Sequence, residues 1–161
     1  MSILEEKVDA LIQLCTTNNP NVKTDALWKL EKLAKASESP VMTDPEGVTQ
    51  ELLLELGSPD HLIGHPYTVA GILMAVADRR YVENITFGLY PAIAAKFDTT
   101  AARVERAIRH LVEVTWSRGD TDVLMRYFGN TVSPVKGKPT NGEFISRCAT
   151  IVAMRLKHAG K

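Results

Sequence analysis

The sequence predicts an all-α protein, and three features of its pattern indicate this fold class. Apolar residues recur at intervals of three and four over most of the 161 residues, which is the period of an amphipathic helix. The alternation of apolar and polar residues that is typical of strands is nearly absent. Glycine and capping residues divide the helical pattern into separate segments. A chain of this length suits one compact domain with a smaller additional unit.

The N-terminal residues 1–38 are predicted to form a helical hairpin. Apolar residues from Ile3 to Cys15 lie on one face of a first helix, and a second amphipathic helix is expected from about Thr24. A single hairpin of this kind cannot bury its own apolar face. We therefore expect it to pack on the main domain or to pair with another chain. Residues 39–47 follow as a linker by composition, because proline, glycine and serine are concentrated there.

A larger domain is predicted over residues 48–158, with clear helix boundaries. Gly57, Gly119 and Gly129 are placed to end helices, and Thr140 with Glu143 forms a capping box that begins the last one. The predicted helices span residues 49–56, 66–80, 91–97, 101–118, 121–128 and 140–158. Trp116 is expected in the core of this domain rather than as a stacking surface.

The helix predicted over residues 101–118 has two chemically different faces. Its apolar face is formed by Val104, Ala107, Ile108, Leu111, Val114 and Thr115, and its polar face by Arg103, Glu105, Arg106, Arg109, His110, Glu113 and Ser117. A short helix and a tight turn precede it, which is the organisation of a helix-turn-helix. Arginine is the commonest bidentate partner of guanine, and glutamate accepts from cytosine N4. The alternative is an ordinary solvated face on which Glu105 pairs with Arg109.

The net charge of zero hides a split between the two parts of the chain. Residues 1–60 carry a net charge of −6 and residues 61–161 a net charge of +6. Residues 131–161 alone carry +5, with Lys136 and Lys138 on either side of Gly137, followed by Arg147 and Arg155. Such groups suit phosphates, which position a protein on DNA without reading its sequence. The charge distribution therefore favours a nucleic-acid partner.

Several other classes of function are not expected from the sequence. The acidic N-terminus lacks the pattern of a secretory signal, and the longest apolar stretch is about half the length of a membrane helix, so a cytoplasmic protein is expected. His61 and His65 are four residues apart without a third ligand nearby, so no metal site is expected, and no other cofactor is indicated. The common nucleotide-binding and hydrolase motifs are missing, so an enzyme is not expected.

The segment LYPAIAAKFDTTAARVERAIRHLVEVTWSRG, from Leu89 to Gly119, resembles the helix-turn-helix of the sporulation master response regulator family (stage-zero sporulation). The segment FGNTVSPVKGKPTNGEFISRCA, from Phe128 to Ala149, is similar to the closing loop and last helix of the same effector domain. The resemblance covers about residues 48–158. It implies a compact six-helix transcription factor that binds short boxes in double-stranded DNA, often in tandem.

The resemblance also implies roles for individual residues. Glu105, Arg106 and Arg109 match positions that face the bases. The positions expected at the DNA backbone or beside the bases are Thr100, Arg103, His110, Lys136 and Lys138.

Two departures from the family pattern shape the expected function. The residues before the effector domain read as helices and cannot assemble the phosphoacceptor pocket of a receiver domain. Residues 119–129 are among the less similar parts, and the matching helix in the family contacts RNA polymerase sigma factors. A sigma factor is therefore one candidate partner, and a second copy of the chain, through the hairpin or on tandem sites, is another.

The alternative function is a protein-interaction module, for example an antagonist, that keeps the fold without productive DNA binding.

Overall fold

The computed structural model describes residues 3–16, 20–37, 44–132, 135 and 137–160. Within these residues the regular structure is entirely helical, which confirms the predicted all-α class. The chain divides into two compact units, residues 1–41 and residues 42–161.

The first unit is the predicted helical hairpin. It consists of α1 (Ile3–Thr16) and α2 (Pro20–Ser37), which pack against each other. Helix α2 begins four residues earlier than the pattern around Thr24 predicts, because Pro20 is tolerated in the first turn, where no intrahelical N–H bond is lost. Ala10 and Ala26 are buried between the helices, whereas the larger apolar residues Leu11 and Leu27 remain about half exposed.

The second unit contains six helices of seven or more residues in its described part, as the resemblance implies. They are α3 (Pro45–Glu55), α4 (Gly64–Ala77), α6 (Tyr90–Lys96), α7 (Ala101–Arg118), α8 (Thr121–Phe128) and α9 (Asn141–Ala159). Between α4 and α6 lie a single-turn helix, α5 (Arg80–Glu83), and a π-helical turn at Ile85–Leu89. Helix α4 ends at Ala77 rather than at Arg80, because Asp78 has an extended backbone with φ −149° and ψ 109°.

Helix α3 takes up part of the predicted linker. The Asp44 side chain accepts a hydrogen bond of 3.0 Å from the backbone N–H of Gly47, and Pro45 occupies the first turn. Aspartate as the N-cap followed by proline is a strong helix start. Residues 44–47 therefore belong to the helix and its cap, while residues 39–43 lie outside the described residues.

The core of the second unit forms around α4, which contacts α7 on one side and α9 on another. Ile72 of α4, Ile108 of α7 and Ile145 of α9 are fully buried. Trp116 packs edge to face on Phe128 at a ring-centroid distance of 5.1 Å and contacts Phe144 as well, so its predicted place in the core is confirmed. Helix α7 is therefore held from inside by aliphatic and aromatic packing.

Two arginines counted above as candidate phosphate ligands have structural roles instead. Arg155 of α9 forms a two-pronged ion pair with Glu55 of α3, with N–O distances of 2.8 and 3.0 Å. The Tyr127 hydroxyl of α8 donates to Glu55 at 2.9 Å, and Arg147 donates to the Tyr127 carbonyl oxygen at 2.6 Å. These contacts join α3, α8 and α9. The charge total of residues 131–161 could not reveal them, because the partners are distant in sequence.

Candidate nucleic-acid interface

Helices α6 and α7 form the predicted helix-turn-helix, joined by a turn with a left-handed residue. Asp98 has φ 50°, and the Thr99 N–H donates back to the carbonyl oxygen of Ala94 at 3.0 Å, which is the hydrogen bond of a Schellman-type helix end. The Thr100 side chain then accepts from the Arg103 N–H at 3.3 Å and begins α7. Thr100, predicted beside the DNA, thus acts as the N-cap of α7 and stands at its first turn.

Helix α7 buries a narrower stripe than predicted. Val104, Ile108, Leu111, Val112 and Thr115 are buried. Val112 was absent from the predicted face, while Ala107 and Val114 are only half-buried. The buried Thr115 hydroxyl donates to the Leu111 carbonyl oxygen at 2.7 Å, so it is satisfied within the helix. The exposed arc of α7 carries the predicted polar residues.

Three of the predicted residues form what we call the cationic row, named after its two arginines: Arg103, Arg106 and His110. They are spaced by three and four residues, all are exposed, and none makes an ion pair with a described residue. This row begins within the first turn of α7. Side chains of the N-terminal turns of a recognition helix are those that reach base edges in the major groove.

Four other charged residues form what we call the alternating row, Glu105, Arg109, Glu113 and Lys138. Arg109 donates to Glu105 through Nε at 2.8 Å and also through Nη2. Lys138, in the loop before α9, donates to Glu113 at 2.8 Å. These contacts raise the pKa of Arg109 and lower the pKa of the Glu113 carboxyl, in each case chiefly through the hydrogen bond to the partner. Each cation of this row thus has a carboxylate partner.

Asn141 ties the loop before α9 to the helix-turn-helix. Its side-chain amide donates to the Tyr90 hydroxyl at 3.0 Å and to the backbone carbonyl oxygen of Glu105 at 3.1 Å. The capping box of Thr140 and Glu143 is present, as predicted, and begins α9 at this point. Sequence analysis missed the Asn141 contacts, although the capping box already placed Asn141 in the first turn of α9.

The loop and α7 enclose a groove of about 720 Å³, which also borders the π-helical turn. Ile85 and Val112 are among its apolar lining residues, and the whole alternating row borders it. Lys138 therefore lies on the α7 side of the second unit. Lys136 lies outside the described residues, while the neighbouring Gly137 has φ 70° with open space around it.

In the described part of the chain, no three His, Cys, Asp or Glu side chains group in a way that could hold a metal ion. His65 is half-buried, and burial lowers its pKa. Among the same residues, no helix is both long and apolar enough to cross a membrane.

A comparison with known protein families matches most of the second unit. The model described as sporulation initiation factor Spo0A C terminal matches residues 49–152, which include both helices of the helix-turn-helix and most of α9. The match covers more than half of the 161 residues. The chain therefore belongs to the Spo0A C-terminal family, a family of DNA-binding regulatory domains and not of enzymes.

Proposed function

We propose that the protein is a sequence-specific transcription regulator that reads short DNA boxes with α7. The observation that carries this proposal is the cationic row, which is exposed on the first three turns of a helix fixed by the core. Arginines at such positions reach guanine O6 and N7 in the major groove. Because the opposite side of α7 is buried, the cationic row has a defined direction relative to the rest of the domain.

Individual roles follow from the two rows. Arg106, in the middle of the cationic row, is proposed as a base reader, and Arg103 and His110 flank it beside the bases or the backbone. Glu105 and Arg109 are proposed to contact bases as an oriented pair. Arg109 Nε and Nη2 hold Glu105, and its remaining N–H groups stay available for a base edge.

The backbone contacts are proposed for the two ends of the interface. Thr100 lies at the N-terminus of α7, where backbone N–H groups favour phosphate oxygens. Lys138 and Lys136 are the lysines of the loop before α9. A lysine on a mobile stem suits phosphate contact more than base discrimination.

Fluorescence anisotropy with two labelled duplexes tests the proposal. One duplex carries the 0A box, the DNA sequence that the family binds, and the other carries a scrambled box of equal length and composition. Binding to each duplex is measured at two salt concentrations. We expect tighter binding to the box, with the preference kept at the higher salt because base contacts depend less on salt than phosphate contacts. Equal affinities would contradict sequence-specific regulation. Absence of binding to both duplexes would favour the alternative of a protein-interaction module.

We propose self-association for the N-terminal hairpin. Val8, Leu11, Ile12 and Leu27 are each about half exposed on α1 and α2, and exposed apolar clusters of this kind mark protein contacts. Light scattering of the full chain over a range of concentrations is expected to show a dimer. The same measurement on Leu11→Glu is expected to show a monomer, with Glu6→Gln on the same helix as the control. Contact of α8 with a sigma factor is a further proposal that rests on the resemblance.

A further inference from the structure

The arginines and the lysine of the two rows differ in whether they have an ion-pair partner in the free protein. Arg103 and Arg106 have no ion pair with a described residue, whereas Arg109 and Lys138 each have a carboxylate partner on α7. Glu105, Arg109 and Glu113 are spaced by four residues, so they follow one side of the helix. Lys138 extends this side from a different segment, 25 residues away in sequence from Glu113.

We propose that Glu113 is an affinity-determining residue that competes with DNA for Lys138. This inference rests on the proposed role of Lys138 as a phosphate contact. In the free protein the Glu113 carboxylate accepts a hydrogen bond from the Lys138 ammonium group, which is the group that would bind a phosphate. To contact the DNA backbone, Lys138 must break its hydrogen bond to Glu113. The DNA backbone then lies beside the Glu113 carboxylate, whose negative charge is no longer compensated.

The geometry of the pair supports competition rather than a fixed structural bridge. The side chains of Lys138 and Glu113 are 44% and 45% exposed, so a phosphate can approach the ammonium group. Exposed ion pairs contribute little free energy and exchange partners readily. The end of the loop next to Lys138 has other anchors besides this pair, because Asn141 and the capping box hold the beginning of α9.

The competition acts on a phosphate contact that correct and incorrect DNA can both make. On any sequence Lys138 must leave Glu113 before it contacts a phosphate, so Glu113 lowers the affinity for both duplexes by a similar factor. Because phosphate contacts supply most non-specific affinity, this cost sets the general level of DNA binding.

A double-mutant cycle on the full chain tests the competition. Affinities for the 0A box and the scrambled duplex are measured for wild type, Glu113→Gln, Lys138→Gln and the double variant. We expect Glu113→Gln to raise affinity for both duplexes, by about two- to fivefold more when Lys138 is present than when it is glutamine. The gain is expected to be similar, as a factor, for the two duplexes. Glu51→Gln, on α3, changes the net charge equally and is the control.

A second measurement tests the ion pair without DNA. The pKa of the Glu113 carboxyl, followed by NMR of its side-chain carbon, is expected to rise in Lys138→Gln. An unchanged pKa would overturn the competition whatever the DNA results. An equal gain from Glu113→Gln in both backgrounds, or a loss of affinity, would also overturn it. The proposed function fails separately, if wild type shows no preference for the box or if Lys138→Gln leaves affinity unchanged.

Discussion

Gly64 lies directly against the backbone of Ala107, where the beginning of α4 crosses the middle of α7. A Cβ atom at position 64 would stand 2.3 Å from the Ala107 carbonyl oxygen and 3.2 Å from the Leu111 Cβ. No side chain other than hydrogen fits this space without moving one of the two helices. The close contact at this crossing therefore fixes the distance of α7 from α4 and the core.

Gly64→Ala is expected to lower the free energy of unfolding by about 1–3 kcal/mol, the usual cost of overpacking. It is also expected to weaken binding to the 0A box, because α7 must shift with its cationic row. Chemical denaturation and anisotropy measure the two effects. Gly88→Ala is the control, since its Cβ would meet nothing closer than 3.7 Å. Equal stability of Gly64→Ala and wild type would show that the crossing is not tight in solution.

Asp98→Gly is expected to stabilise the protein. Asp98 has φ 50° in the turn between α6 and α7, a conformation that glycine adopts without the steric cost of a Cβ. We expect a gain of about 0.5 kcal/mol in the free energy of unfolding, and a loss above about 1 kcal/mol for Asp98→Val. Asp98→Asn keeps a residue tolerant of this conformation and removes the charge. If it gained as much as Asp98→Gly, charge rather than backbone strain would be the cause.

Helix α7 was predictable because its signals are local. Thr100 is the N-cap and Gly119 the C-cap of α7, and the observed bounds Ala101–Arg118 equal the predicted ones. The partners of Lys138 and Arg155 were not predictable, because each depends on how distant segments pack. Val112 was missed for a related reason. It is buried in the hydrophobic core by residues of other segments, on a part of α7 that an isolated amphipathic helix would expose.

Acid is expected to remove the contribution of the Glu55–Arg155 pair to stability. The hydrogen bond from Arg155, followed by that from Tyr127, lowers the pKa of Glu55 below its ordinary value of 4.5. A carboxyl with a lowered folded-state pKa stabilises the fold above its unfolded-state pKa, and this stabilisation is lost as pH falls through the folded-state pKa.

Glu55→Gln tests that pH dependence by urea unfolding. At pH 7 we expect it to cost about 1 kcal/mol, the upper end for a pair exposed to solvent. The difference from wild type is expected to shrink below pH 4.5. Glu51→Gln removes an exposed carboxylate from the same helix and is expected to change stability by less than about 0.5 kcal/mol. A difference that stays constant from pH 7 to pH 3 would assign the effect of Glu55→Gln to packing.

Arg106→Ala and Lys138→Ala are expected to weaken DNA binding in different ways, because one residue is proposed to read bases and the other to hold phosphate. Arg106→Ala is expected to cost about 1–3 kcal/mol on the 0A box and little on the scrambled duplex, so that specificity falls. Lys138→Ala is expected to weaken both duplexes by a similar factor and to reduce the salt dependence of binding by about one phosphate contact. Lys157→Ala on α9 removes an equal charge far from α7 in sequence and is the control. Anisotropy titrations against salt separate the two cases. If Lys138→Ala lowered specificity, or if Arg106→Ala weakened binding to both duplexes by the same factor, the two proposed roles would be exchanged. Base recognition would then be assigned to the loop before α9 rather than to the cationic row.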